Sequence, residues 1–151
     1  MLDRSRIGYK FVPFQVEVEK GRLRLFAKAV GETNPLYTDE DVALQHGYPS
    51  LPAPLTYSFC LGKDIPDPAD TLHLFDLDFS EIVHGEQEFE FFEVICAGDV
   101  LHGQKQVVDI YERKGGALEF IVVRTDFSDP DGRPVCRTTQ TIIVTGKTAE
   151  R

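Results

Sequence analysis

Leu55-Thr56-Tyr57-Ser58-Phe59-Cys60-Leu61-Gly62 is apolar almost all round, and whether it forms a helix or a strand decides the architecture. Periodicity alone does not separate a buried strand from a buried helix in so short a run. Pro54, just before it, suits a first helical turn, where its missing N–H has no partner to lose. The rest of the chain already supplies strands. The segment therefore reads as a buried helix that begins near Pro54 and extends past Cys60.

Towards the N-terminus, Phe14-Gln15-Val16-Glu17-Val18-Glu19 alternates apolar and polar residues, as a half-buried strand does. A helix follows from about Lys20 to Val30. Leu23, Phe26, Ala27 and Val30 share one stripe, and Gly31 is a natural stop. Thr38 suits the cap of a second helix, from Asp39 to about His46, whose first turn sets Asp39, Glu40 and Asp41 against the helix dipole. Residues 65 to about 80, broken by Pro66 and Pro68, read as a long irregular connection.

The second half reads as strands throughout. In Glu86 to Val94, Phe89 and Phe91 take one face and Glu88 and Glu90 the other. Ala97-Gly98-Asp99 turns into Val100 to Glu112, and Gly115-Gly116 makes a hairpin into Ala117 to Phe127. Asp129-Pro130-Asp131-Gly132 turns again into Pro134 to Thr145. The plan is α+β: an antiparallel sheet of five or more strands wrapped round one apolar helix. With no internal repeat and no linker, residues 1–151 are expected to be a single domain.

Bulk properties narrow the function. At 42% apolar and 27% charged residues, the 151-residue chain has an ordinary globular composition. No apolar run approaches the ~20 residues of a membrane helix, and Met1 to Arg6 leads into no signal-peptide core. Cys60, Cys96 and Cys136, an odd number at wide spacing, read as reduced thiols in a cytoplasmic protein. A net charge of −9 argues against nucleic acid as partner. A local basic spot for a phosphate remains open: Arg22, Arg24 and Lys28 on the first helix, or Lys63 and Lys105. Each also has the ordinary reading of a solvated surface charge. His46, His73 and His102 have no ligand-spaced neighbours, and no phosphate-cradling glycine loop occurs, so neither metal nor cofactor is expected.

Between the first two helices lies Glu32-Thr33-Asn34-Pro35-Leu36-Tyr37, and soon after it Pro49-Ser50-Leu51-Pro52-Ala53-Pro54. Together they resemble the hydratase loop and helix entry of the MaoC-like, hot-dog-fold enoyl-thioester hydratases and dehydratases. In active members that loop reads Asp-x-Asn-Pro-Leu-His. Gly47-Tyr48 through Ala53-Pro54-Leu55-Thr56, His84-Gly85-Glu86-Gln87-Glu88-Phe89 and Ala97-Gly98-Asp99-Val100-Leu101 are similar to the FAS1-like dehydratase branch of that family. The resemblance covers nearly the whole chain and implies a single hot-dog domain.

It also implies a mechanism and a defect. In active relatives the Asp and His activate a water that adds to C3 of a trans-2-enoyl thioester, and an N–H at the start of the central helix polarises the thioester carbonyl. Here Glu32 stands at the Asp position and Tyr37 at the His position. Tyr has an ordinary pKa near 10 against about 6.5 for His, which makes it a poor proton shuttle at neutral pH. The expected amide donor falls near Ala53-Pro54, and Pro54 has no N–H. Asn34, Ala53, Pro54 and Tyr57 are the substrate-binding candidates, and His84 is a candidate surviving base or tunnel residue.

The resemblance thus implies an acyl-CoA or acyl-carrier-protein thioester as ligand, and a chain that forms the substrate-channel half of a hydratase. Its partner is expected to be a second copy or an intact MaoC-like subunit, joined edge to edge because one such sheet leaves an edge unfinished. An autonomous hydratase using Glu32 with His84, a thioesterase using Glu32, and a non-catalytic acyl-thioester binder remain open.

Overall fold

The alternating runs of the second half form long strands: β2 (Ile82–Phe91), β3 (Val100–Arg113), β4 (Leu118–Ser128) and β5 (Pro134–Val144). A short β1 (Phe14–Glu17) joins them. In the computed structural model, which describes residues 1–63 and 65–145, these make one antiparallel sheet in the order β1-β3-β4-β5-β2. The expected single-domain boundary at residue 151 runs into residues 146–151, outside the described residues. Gly115 and Gly116, with φ of +64° and +88°, turn β3 into β4 in the left-handed region that glycine tolerates.

The central helix begins after Pro54 and extends past Cys60, as expected, but its first turn is 3-10. Pro54 precedes a 3-10 turn, Leu55–Tyr57, which passes into α3 (Ser58–Leu61) and stops at Gly62. Tyr57, Ser58 and Leu61 are buried, but Leu55 is 65% exposed, so one side of the helix entrance faces out of the core. Around α3 packs a cluster that includes Leu23, Leu51, Leu101 and Phe127. A second cluster, with Val107, Ile110, Ile121 and Ile142, fills the other end of the sheet.

Other expectations need correction. The first helix, α1 (Lys20–Ala29), buries Leu23 and Ala27 completely, while Val30 at its end is 55% exposed and contributes little to the stripe. The second, α2 (Glu40–Gln45), is capped by Asp39 rather than Thr38. The Asp39 carboxylate accepts from the amides of Asp41 and Val42 at 3.0 and 3.4 Å, whereas Thr38 ends the preceding turn. The connection expected to be irregular contains α4 (Asp70–Phe75), with Leu74 and Phe75 on the second cluster. Six residues are too few for helical periodicity to show in sequence. β2 begins four residues before the expected Glu86 and ends at Phe91, so residues 92–94 lie outside it.

Lys105 is not a surface charge. It is 9% exposed, with its ammonium ion-paired to Asp70 and lying 4.8 Å from the centre of the Phe11 ring. Two residues earlier on β3, Gly103 lets β1 and β3 close on each other. A Cβ there would meet the Phe14 ring at 2.2 Å. Phe14 in turn packs edge-on against Phe127 at 6.0 Å.

The thiols are free, and Cys136, 1% exposed, has its pKa pushed up to about 12 by burial. Because the thiolate is the nucleophile, iodoacetamide at pH 8 is expected to leave Cys136 untouched in the folded protein and to label it after denaturation. Peptide mass spectrometry checks this. Rapid labelling of Cys136 in the native state would contradict its place in the core.

Candidate functional site

Chain direction at the end of α1 is set by Gly31, at φ +73°, and the Glu32 amide then donates back to the Ala27 carbonyl at 2.8 Å. Asn34 caps the turn Pro35–Tyr37 by accepting from the Leu36 amide at 3.0 Å. Glu32 is committed in the same way: its carboxylate accepts from the Asn34 amide at 2.8 Å. Arg24 ties the loop to α1 by donating from Nε to the Thr38 carbonyl at 3.1 Å, and Leu36 packs on the main core. The Glu32 carboxylate therefore closes its own loop instead of facing a second acid/base group. Tyr37 is half-buried.

The helix entrance holds a further departure. Ala53 donates its N–H to the Ile95 carbonyl at 2.8 Å, and Pro52 bridges to Cys96. The amide before the helix is thus engaged by the neighbouring segment, and the next residue, Pro54, has none. Sequence reasoning identified the proline. It had no signal for the Ile95 contact, which joins segments about forty residues apart.

Ala53, Pro54 and Leu55 line a cavity of about 290 Å³ with Phe91, Phe92 and Val94. Leu55, Phe91, Phe92 and Val94 are 65%, 39%, 43% and 59% exposed, an apolar patch beside the free edge of β2. Phe89 and Phe91 stack at 6.1 Å on one face, as the alternation predicts. Phe127 is buried in the main core, while Tyr111 and Phe120 stack at 4.6 Å across β3 and β4.

The remaining candidates lie elsewhere. Tyr57 is 4% exposed and packs edge-to-face on Phe26 at 5.4 Å, lining a groove between α1 and α3. Partial burial beside that groove lowers the Lys63 pKa, with the nearby Lys105 charge adding to the effect, and burial raises that of Cys60. His84 sits on β2 with its ring 5.6 Å from Phe59. A bulge between His84 and Glu86 sets its direction, and Gly85 between them approaches Ile143 so closely that a Cβ would lie 2.8 Å away. Among the described residues no hydrogen bond or ion pair joins any two of Glu32, Tyr37 and His84. None of the described residues forms a cluster of three metal-ligating side chains, and no described helix is long and apolar enough to cross a membrane.

Comparison with known proteins bears on this arrangement. The family described as "FAS1-like, dehydratase domain region" matches residues 5–138. A UPF0336 protein of Saccharopolyspora erythraea is 37% identical over 150 residues, covering 99% of this chain and 94% of the relative. Among solved structures, a chain of the C-terminally truncated HadBC (3R-hydroxyacyl-ACP dehydratase) complex of Mycobacterium tuberculosis is 29% identical. It superposes with a TM-score of 0.79 over 91% of this chain and 96% of that one. A MaoC-like dehydratase superposes with a TM-score of 0.82 at 24% identity, over 93% of this chain and 42% of that longer one, a likeness of fold.

Proposed function

Because the chain belongs to the FAS1-like dehydratase family, with its MaoC-like hot-dog fold, we propose that it is the substrate-channel half of a 2-enoyl-thioester hydratase/3-hydroxyacyl-thioester dehydratase. The reaction is reversible addition of water to a 2-enoyl group carried on CoA or an acyl-carrier protein. The carrying observation is the engaged state of the machinery. Glu32 accepts from its own loop at Asn34, and the Ala53 amide is held by Ile95 beside a proline that has none to offer. A base and an oxyanion donor have to be open to substrate before they contribute. In this reading the single domain, residues 1–151, shapes the channel. Asn34 holds the loop, and Ala53 and Pro54 line the cavity beside Phe91. Tyr57 supports the helix from below, and His84 lines the channel opposite Phe59. An intact MaoC-like subunit supplies the Asp and His. The free thiols support a reducing, cytoplasmic setting.

The partner reading draws support from the exposed patch around Leu55, Phe91, Phe92 and Val94 beside the open edge of β2. Long unpaired edges are normally paired or covered. The similar HadBC protein is itself a complex. Light scattering at micromolar concentration is expected to show a dimer, either of this chain or with an intact subunit. A persistent monomer in both preparations would contradict this.

Activity provides the direct test. The purified chain is assayed with crotonyl-CoA and longer enoyl-CoAs, alone and mixed with a subunit bearing Asp-x-Asn-Pro-Leu-His. Hydration is expected to need the mixture, and a further drop is expected when the partner's Asp or His is removed. Full activity of the chain alone would instead make it an autonomous hydratase. Thioester cleavage without hydration would make it a thioesterase.

A further inference from the structure

The sheet has two open edges, and they differ. At one, β1 is four residues long. At the other, β2 runs for ten residues with only β5 beside it. Both ends of this longer edge are apolar. Val83 near its start is exposed, and so are Phe91 and Phe92 at its end, where they line the cavity beside Ala53 and Pro54.

Between those ends the strand is acidic. Glu86, Glu88 and Glu90 are exposed and alternate with half-buried Gln87 and Phe89, so the three carboxylates share the outer face of the sheet. Their neighbours on β5 are Thr141, Thr139 and Arg137. Only Glu90 meets a cation, the Arg137 guanidinium at 3.3 Å, and Arg137 is shared with Asp126 at 2.5 Å. Among the described residues, neither Glu86 nor Glu88 takes part in an ion pair.

This row decides which strand can lie against the edge. Side chains directly opposite in an antiparallel pair are about 4.5–5.5 Å apart, and like charges there repel. Two copies of the chain joined edge to edge across a two-fold axis keep the same sheet face outward, so each acidic row falls against the other. Pairing centred on Glu88 sets Glu88 against Glu88 and Glu86 against Glu90. Sliding by one pleat sets Glu86 against Glu88, or Glu88 against Glu90. A strand with Lys or Arg at those places forms charge pairs instead, and it covers Val83, Phe91 and Phe92 at the same time.

We propose that the β2 edge selects against a second copy of this chain and binds an edge strand of a different protein that carries Lys or Arg opposite Glu86 and Glu88. The inference rests on the channel-half reading above and names the chemistry by which the intact subunit is chosen. The apolar ends supply the adhesion, and the acidic middle supplies the choice.

Sedimentation velocity on the full chain, at low and high salt, tests it. Wild type by itself is expected to stay monomeric at micromolar concentration. Mixed with the charge-reversed chain, Glu86→Lys with Glu88→Lys, it is expected to pair at least about tenfold more tightly than with itself, and less so as salt rises. With an intact subunit bearing Asp-x-Asn-Pro-Leu-His, wild type is expected to form a heterodimer that the same reversal weakens by about tenfold or more. Glu86→Gln with Glu88→Gln keeps the side-chain size and removes the charge, so self-association rises while the heterodimer weakens. The inference is overturned if wild type forms a tight homodimer that the Gln pair leaves unchanged, or if the reversed chain pairs with wild type no better than wild type with itself. It is equally overturned if the intact subunit binds the reversed chain no more weakly than wild type. Failure of the hydratase reading looks different: charge-dependent pairing persists while no mixture hydrates crotonyl-CoA.

Discussion

Glu32→Asp combined with Tyr37→His raises hydration of crotonyl-CoA by the purified chain more than the product of the two single changes. The loop that aims both positions is intact, since Asn34 caps its turn and Arg24 anchors it to α1. Shortening Glu32 by one methylene draws its carboxylate, which now accepts from the Asn34 amide at 2.8 Å, back towards the place that the Asp of active loops takes. His in place of Tyr37 brings a pKa near 6.5, in the range where a proton shuttle works at neutral pH. General acid–base groups contribute about 10²–10⁴-fold when they act as a pair, and paired groups are far from additive. The gain has a ceiling. Ala53 still donates to Ile95 and Pro54 still has no N–H, so a donor elsewhere worth about 10²–10³-fold remains missing. In the unaltered chain, Glu32→Ala changes any residual rate by less than about tenfold, because a misaimed carboxylate contributes little. Initial rates of the four variants and wild type decide the matter. Wild-type turnover in the ordinary enzyme range of ~1–10³ s⁻¹, abolished by Glu32→Ala, would make Glu32 a working base and overturn the channel-subunit reading.

Asp70→Ala destabilises the fold by about 3–5 kcal/mol, the usual cost of stranding one charge of a buried pair. The side chains of Lys105 and Asp70 are only 11% and 18% exposed, too little for water to take over the lost partner. Removing both charges is far milder. Asp70→Leu with Lys105→Met leaves no stranded ammonium and keeps apolar volume beside Phe11, so most of the stability returns. Urea denaturation of the three proteins measures this. A loss below about 1 kcal/mol for Asp70→Ala, the range of exposed pairs, would show that the ion pair is solvated in solution.

The architecture was largely legible in the chain because sheets advertise themselves. The two-residue alternation of Glu88, Phe89, Glu90 and Phe91, the glycine pair at 115–116 and the Asp99 turn are local signals, and each stands where the expected strand or turn occurs. The family was legible for a related reason. Asn34-Pro35-Leu36 and Ala53-Pro54-Leu55-Thr56 keep their spacing whether or not the chemistry between them survives. Local patterning also failed in local ways. α4 was lost because six residues carry too little periodicity, and Asp39 displaced Thr38 as cap because both side chains can accept from the same turn.

From sequence alone, then, came the strand-and-helix plan, the reading of Glu32 and Tyr37 as changed positions of the loop, and the absence of an N–H at Pro54. All three are properties of single residues or of neighbours along the chain. The direction in which the Glu32 carboxylate points, the engagement of the Ala53 amide by Ile95 and the burial of Lys105 against Asp70 were decided by tertiary structure. So was the meeting of Arg22 and Lys63 across one groove. Most of these depend on contacts between segments tens of residues apart, where the partner is chosen by packing and by the cost of leaving a buried polar group unpaired, neither of which leaves a periodic mark in the sequence.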